Sequence, residues 1–188
     1  AFYNTGYYND ASKWENGVLY INNHLIAAND YDEEYYEYTG KVKGAYTIKA
    51  GTKTIADYAF AYCEKLESIK IPGSVVSIGH HAFYHCADIK SVKIPDGVKS
   101  IGDCAFYNCE NLTWITIPGS VTSIGDAAFS HCTSLINITV PEGVISIGDS
   151  AFYRCDSLTI YCEASWKPSG WSSGWNLDNR PVLWNYTL

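Results

Sequence analysis

The chain has 188 residues, 47% of them hydrophobic, which is enough apolar material for one compact domain or one short solenoid with caps. Its formal net charge of −7 argues against a nucleic-acid interface, which needs clustered Lys and Arg, and against docking on anionic lipid. No apolar run approaches the ~20 residues of a membrane span, so we expect no membrane insertion. The chain begins at Ala1 and contains no Met, which favours a processed chain or a fragment.

Residues 1–45 contain no repeat and are predicted to form an N-terminal cap. The run from Val18 to Ala27 is typical of a β-hairpin that turns at Asn22-Asn23. Such a hairpin would cover the open end of stacked strands and block edge-to-edge pairing with another chain.

Residues 46–163 contain about five copies of a 23-residue unit marked by the string A-F-x-x-C. The Phe of this string recurs at one repeat position and forms a column: Phe60, Phe83, Phe106, Phe129 and Phe152. The Cys forms a second column: Cys63, Cys86, Cys109, Cys132 and Cys155. A strict period of this length indicates stacked coils, each of which buries its apolar face against its neighbours. The sequence therefore predicts a solenoid.

Each unit contains a strand signature followed by turn signals. In the first clear unit, Leu66, Ile69 and Ile71 follow the L-x-x-L-x-L pattern of leucine-rich repeats. Pro72 ends the strand, because proline lacks an N–H. An Asp before most A-F-x-x-C strings is a natural N-cap for a short helical turn. We therefore predict a parallel strand face with short helical or irregular segments opposite.

Residues 164–188 are rich in aromatic side chains and are predicted to form a C-terminal cap. The tryptophans of this tail are Trp166, Trp171, Trp175 and Trp184. An irregular lid on the last coil explains them, because an open hydrophobic end needs covering. A carbohydrate-binding platform is the alternative.

The pattern L-x-S-I-x-I-P-x-x-V-x-S-I-G-x-x-A-F-x-x-C over residues 46–163 resembles the BspA-type leucine-rich repeat family. Members of that family are mostly secreted or surface-attached proteins of host-associated bacteria, and several act as adhesins or bind host proteins. The resemblance implies an extracellular or cell-surface location. The resemblance implies no catalytic residues and no cofactor, so we expect a protein that is not an enzyme.

The cysteines are predicted to be buried free thiols. Five of them share one repeat position beside the Phe column, where side chains in register point the same way rather than at each other. Disulfide bonds are the alternative interpretation. Metal binding ranks third, since the C-x-x-C spacing typical of metal ligands does not occur. Cys104 lies outside the column and is the expected exposed thiol, whereas Cys162 is expected to join the last core layer.

Two further columns are weighed as sites. Asp103, Asp126 and Asp149 could hold calcium, although N-capping explains their position without a metal. His85 and His131 share a row that Asn108 interrupts, and solvated surface histidines explain them. We therefore predict no metal site.

The outward positions of the strands are the predicted ligand-binding residues. Trp114 stands where the other units have Ser or Asn, and Ile136 follows in the next unit. With Lys70, Lys93 and Asn137, they form the candidate surface, because an exposed Trp is a typical anchor for a ligand. Covering of Trp114 by a cap or a neighbouring domain is the competing interpretation.

The sequence thus favours a non-catalytic adhesion or interaction module that binds a host or matrix protein, or a glycan, through the strand face. The alternative is a structural spacer within a longer surface protein, in which the ends or adjoining domains carry the function.

Overall fold

The computed structural model describes residues 10–32 and 37–187, and these form a β-solenoid. Residues 1–9 and 33–36 of the predicted N-terminal cap, and Leu188, lie outside the described residues. The one helical element in the described ranges is a 3₁₀ turn at Ala11–Lys13. The solenoid of leucine-rich repeats predicted from the 23-residue period is confirmed.

The strands of the described residues form four sheets. Each full coil adds a two-residue strand to one continuous ladder and a longer strand to a second ladder, whose pairing is interrupted between Trp114–Thr116 and Asn137–Val140. In chain order the strands are β1 (Trp14–Glu15), β2 (Val18–Ile21), β3 (His24–Ala27), β4 (Asn29–Asp32), β5 (Glu37–Gly40), β6 (Gly44–Thr47), β7 (Thr54–Ile55), β8 (Leu66–Lys70), β9 (Ser77–Ile78), β10 (Ser91–Lys93), β11 (Ser100–Ile101), β12 (Trp114–Thr116), β13 (Ser123–Ile124), β14 (Asn137–Val140), β15 (Ser146–Ile147), β16 (Thr159–Cys162) and β17 (Val182–Leu183).

Equivalent positions of successive coils pair in parallel. In the ladder of two-residue strands, Ser100 pairs with Ser77 on one side and with Ser123 on the other. In the ladder of longer strands, Val92 pairs with Ile69. Because the pairing repeats every 23 residues, each repeat position becomes a column along the solenoid axis. The Ile of each short strand from β7 to β15 and the central Ile or Val of each long strand from β8 to β16 are buried, whereas β6 has the half-buried Tyr46 at this position.

The phenylalanine column forms a continuous stack in the core. All five rings are fully buried, with successive ring centroids 5.1 to 5.7 Å apart and ring planes inclined by only 4° to 7°. At the N-terminal end, Tyr46 lies 5.9 Å from Phe60. At the C-terminal end, Trp175 meets Phe152 at 5.9 Å with its plane turned by 86°. The stack therefore connects every coil to the next through offset ring contacts.

The cysteine column consists of free, buried thiols, as predicted. Each thiol donates a hydrogen bond to a carbonyl one coil earlier, as when Cys109 Sγ reaches the Phe83 oxygen at 3.2 Å and Cys132 Sγ reaches the Phe106 oxygen at 3.2 Å. The column thus needs a small side chain with a weak donor, which explains Cys in place of Ala. Cys162 is buried in the last layer, also as predicted.

We expect iodoacetamide to modify Cys104 in the folded protein before any other thiol. Cys104 is half-buried, while the other six cysteines are buried. Burial also raises the pKa of the Cys109 and Cys162 thiols to about 12, so very little of the reactive thiolate exists at neutral pH. Burial, followed by the nearby carboxylates of Asp103 and Asp126, raises the pKa of Cys104 as well, so its reaction should be slow.

Peptide mass spectrometry after timed alkylation, with and without denaturant, measures this order. Modification of a column cysteine as fast as Cys104 under native conditions would contradict the buried column.

The A-F-x-x-C segments are turns. Of the two predicted forms, helical and irregular, the irregular form is therefore present. Cys63 donates its N–H to the Phe60 oxygen at 3.0 Å, while the Phe60 N–H donates to the Ala82 oxygen of the next coil at 2.7 Å. Because alternate N–H groups point to the next coil, no helical ladder can form. Two non-glycine residues per coil adopt left-handed backbone angles, with φ between 50° and 62°, namely Tyr58, Tyr62, His81, His85, Cys104, Asn108, Ala127, His131, Ser150 and Arg154.

The predicted helix N-cap role of the Asp column is wrong. Asp103 Oδ1 accepts the backbone N–H of Asp126 at 2.9 Å, and Asp126 Oδ1 accepts that of Asp149 at 2.8 Å. Asp57 Oδ1 does the same for His80, whose Nδ1 in turn lies 3.0 Å from the Asp103 nitrogen. Each carboxylate therefore joins its coil to the following one, rather than closing a turn within its own coil.

The glycines Gly79, Gly125 and Gly148 lie directly against the carboxylate and backbone of the preceding coil. A Cβ at Gly125 would meet the Asp103 carboxylate and lie 2.5 Å from the Asp103 backbone nitrogen. The φ of Gly125 is not in the left-handed region, so the sharp turn expected from sequence is not the reason for glycine at this position. The reason is the close approach of the preceding coil.

The solenoid ends are covered by different structures. At the N-terminus, β2 and β3 form the predicted hairpin, and Leu25 of β3 pairs in parallel with Ile55 of the first short strand. At the C-terminus, Trp171 and Trp175 are buried, and Trp171 Nε1 donates to the Val144 oxygen at 2.9 Å. Trp166, by contrast, is exposed.

Candidate binding surface

The candidate surface is the outward side of the long strands, called the strand face below. Along these strands, apolar residues point into the core and the intervening residues point out, which is the alternation of a half-buried strand. Its side chains form three rows: Glu67, Lys90, Thr113 and Ile136; Ser68, Ser91, Trp114, Asn137 and Thr159; and Lys70, Lys93, Thr116, Thr139, Tyr161 and Leu183.

Trp114 and Ile136 form an open apolar patch in the middle of the strand face. Their exposed fractions are 46% and 59%. Ser91 is the ladder partner of Trp114 on one side, while the ladder pairing stops between β12 and β14 on the other. The two caps lie at the solenoid ends, and neither buries Trp114. The interpretation in which a cap covers this residue is therefore excluded for the described residues.

The other predicted site residues lie on the same face. Lys70 and Lys93 are exposed and occupy consecutive strands of the third row, and Asn137 is exposed beside the apolar patch. Among described residues, neither Lys70 nor Lys93 has a carboxylate within ion-pair distance, whereas Lys90 Nζ lies 3.8 Å from Glu67 Oε2. The structure thus brings all five predicted residues onto one surface across four coils.

The sequence prediction missed the C-terminal extension of this face. Val182–Leu183, which was expected to belong to an irregular lid, is strand β17 and pairs in parallel with β16. Leu183 is 50% exposed beside Tyr161, whose ring lies 4.7 Å from that of Tyr186. The alternation in P-V-L-W was the available signal, and the surrounding Trp, Pro and Gly residues obscured it.

A groove of about 620 Å³ runs along the ladder of short strands. Its walls come from the Ser-Ile-Gly positions and the Asp column. The Oδ1 atoms of Asp57, Asp103 and Asp126 are already engaged by backbone N–H groups of the next coil. No group of three or more His, Cys, Asp or Glu within residues 10–32 and 37–187 is arranged to hold a metal ion. The carboxylates along this groove therefore serve to join successive coils.

The turn side carries a network of half-exposed Tyr and His rings. The sequence predicts a Tyr row that packs on the convex side or lies half exposed, formed by Tyr84, Tyr107 and Tyr153. Tyr84 stacks on Tyr107 at 5.1 Å, and burial raises the pKa of Tyr84 to about 12. Burial also lowers the pKa of His85, which favours its neutral form. Where Ser130 interrupts the Tyr row, the His131 ring lies 4.9 Å from Tyr107 and fills the gap. The rings thus pack against one another along this side.

In the part of the chain that the structure describes, no helix is long and apolar enough to cross a bilayer.

Three solved bacterial structures are similar to this chain. A leucine-rich repeat protein from T. pallidum is 28% identical with a TM-score of 0.65, over 81% of this chain and 70% of that one. One from Bacteroides ovatus is 34% identical with a TM-score of 0.59, over 70% and 38%. A leucine rich cell surface protein from Faecalibacterium prausnitzii is 32% identical with a TM-score of 0.57, over 81% and 46%.

No protein with a curated description matches the chain. The model of the BspA type leucine rich repeat region matches residues 53–167 in six copies, one more than the A-F-x-x-C count suggests. The match covers more than half of the 188 residues, with the same repeat unit that builds the two ladders. The chain therefore belongs to the BspA-type leucine-rich repeat family.

Proposed function

We propose that this chain is a non-catalytic binding module of a bacterial surface or secreted protein, and that it captures a host protein or glycan through the strand face. The observation that carries the proposal is Trp114, which is 46% exposed in the middle of that face. An exposed aromatic side chain contributes little to the free energy of folding. Aromatic side chains that become buried on binding, by contrast, dominate the binding energy of interfaces.

Two further features support this proposal. The leucine-rich repeat solenoid is typically non-catalytic, and one similar structure is that of a leucine rich cell surface protein. The other two sides of the solenoid are engaged in their own packing, since the Asp column bonds from coil to coil and the Tyr and His rings contact each other. The strand face presents its side chains without such engagement around Trp114 and Ile136.

We expect Trp114→Ala to weaken binding by about 2 kcal/mol or more, roughly 30-fold, because the anchor is lost. Thermal unfolding should stay nearly unchanged, since the side chain is exposed in the free protein. The measurement is an array of extracellular-matrix proteins and glycans, followed by surface plasmon resonance titration of the hits. Trp166→Ala is the matched control, because Trp166 is also exposed but lies outside the strand face. Equal binding by wild type and Trp114→Ala would rule out this face.

The second candidate function is a structural spacer in a longer surface protein. The packed core and the covered ends favour it, because they make the solenoid a self-contained rod. An array on which the wild-type protein gives no saturable hit would support this function over binding.

A further inference from the structure

The strand face has a charge opposite to that of the chain as a whole. The chain carries a formal net charge of −7, yet one half of the strand face holds three lysines, Lys70, Lys90 and Lys93, and a single carboxylate, Glu67. Glu67 lies beside Lys90, at 3.8 Å. This leaves Lys70 and Lys93 on consecutive strands, about 4.8 Å apart, without a carboxylate among the described residues. Like charges on neighbouring strands repel each other, and an anionic ligand group would relieve that repulsion.

The other half of the strand face carries no charged residue and holds three exposed apolar side chains among threonines, an asparagine and a tyrosine. Trp114, Ile136 and Leu183 are all at least 46% exposed there. Two of these three side chains are aliphatic. An aliphatic surface gains from burial against another apolar side chain, whereas a sugar would cover it with hydroxyl groups that need hydrogen-bond partners. The two exposed aliphatic side chains, Ile136 and Leu183, therefore favour a polypeptide ligand over a glycan.

We propose that the strand face recognises an acidic polypeptide segment, with carboxylates over Lys70 and Lys93 and an apolar side chain over Trp114 and Ile136. This inference rests on the proposed function and specifies its ligand. Three interstrand steps separate the Lys70 strand from the Ile136 strand, roughly 14 Å in total. An extended peptide covers that distance in about four residues, so the acidic and apolar positions of the ligand lie within one short segment.

The test is selection of a random peptide library displayed on phage against four immobilised proteins: wild type, the double variant Lys70→Gln with Lys93→Gln, Trp114→Ala, and Lys99→Gln. The last is the matched control, because Lys99 is an exposed lysine away from the strand face. Wild type should enrich peptides with Asp or Glu about two to four residues from a bulky apolar residue. The double variant should lose the acidic preference, Trp114→Ala should lose the apolar one, and Lys99→Gln should keep both.

A synthetic copy of the most enriched peptide should bind the double variant about 10-fold more weakly than the wild type, and added NaCl should weaken wild-type binding. Neutral or basic enriched peptides, or acidic enrichment that survives in the double variant, would overturn the inference. Saturable binding of heparin or polysialic acid that Trp114→Ala abolishes, with no enriched peptide, would overturn the polypeptide ligand while preserving the proposed function. No binding in either arm would overturn both.

Discussion

Replacing Phe106 with Ala should destabilise the protein by about 3–5 kcal/mol, the usual cost of truncating a fully buried Phe. Phe106 lies in the middle of the ring stack, 5.1 Å from Phe83 and 5.5 Å from Phe129. Its removal leaves a cavity and takes away both ring contacts at once. Urea unfolding followed by circular dichroism measures the loss.

The shape of the transition carries additional information. In a stacked-repeat protein, each coil contacts only its neighbours, so a gap in the middle coil should uncouple the two halves and broaden the unfolding curve. Val76→Ala is the control, because Val76 is exposed and should change stability by less than about 0.5 kcal/mol. A loss below about 1 kcal/mol for Phe106→Ala would show that the stack is not a major source of stability.

Gly125→Ala should destabilise by about 1–3 kcal/mol or more, because the new methyl group would overlap the Asp103 carboxylate and backbone. Gly119→Ala makes the same chemical change in the same coil at a position where an added Cβ meets nothing within 4 Å. That variant should be neutral or more stable by about 0.4–1 kcal/mol, since Ala restricts the unfolded chain.

Thermal and urea unfolding of both glycine variants separate the two effects. A similar stability change in Gly125→Ala and Gly119→Ala would mean that the preceding coil shifts at little cost to accept the added methyl group. The close approach of that coil would then no longer explain the glycine column.

The buried columns could be predicted from the sequence because a strict period places each repeat position in one environment. Phe106 and Cys109 are equivalent to four other Phe and four other Cys residues, so their burial follows from the repeat alone. The exposure of Trp114 and Ile136 could be predicted in the same way, since they occupy outward positions of the strand pattern. These inferences need only the period and the alternation of a strand.

The hydrogen bonds between coils could not be predicted from the same pattern. An Asp before a turn can bond within its own coil or to the next one, and the sequence around Asp103 is compatible with both. The choice depends on the spacing between coils, which is a tertiary property. Strand β17 was missed for a similar reason, because Val182–Leu183 is stabilised by pairing with β16 rather than by its own sequence.

The perpendicular Trp175 ring has a consequence for whether another ring can stack on Phe152. A flat ring stack presents the same surface at both ends, so another molecule could continue it and form a filament. Trp175 meets Phe152 edge-on at 86°, and Trp171 and Trp184 pack against it, so no further parallel ring can be added there. At the other end, β2 pairs with β3 in the antiparallel direction, which ends the parallel register of the short-strand ladder. Within the described residues, an edge-on ring therefore closes the Phe stack at one end, and an antiparallel hairpin ends the parallel ladder at the other.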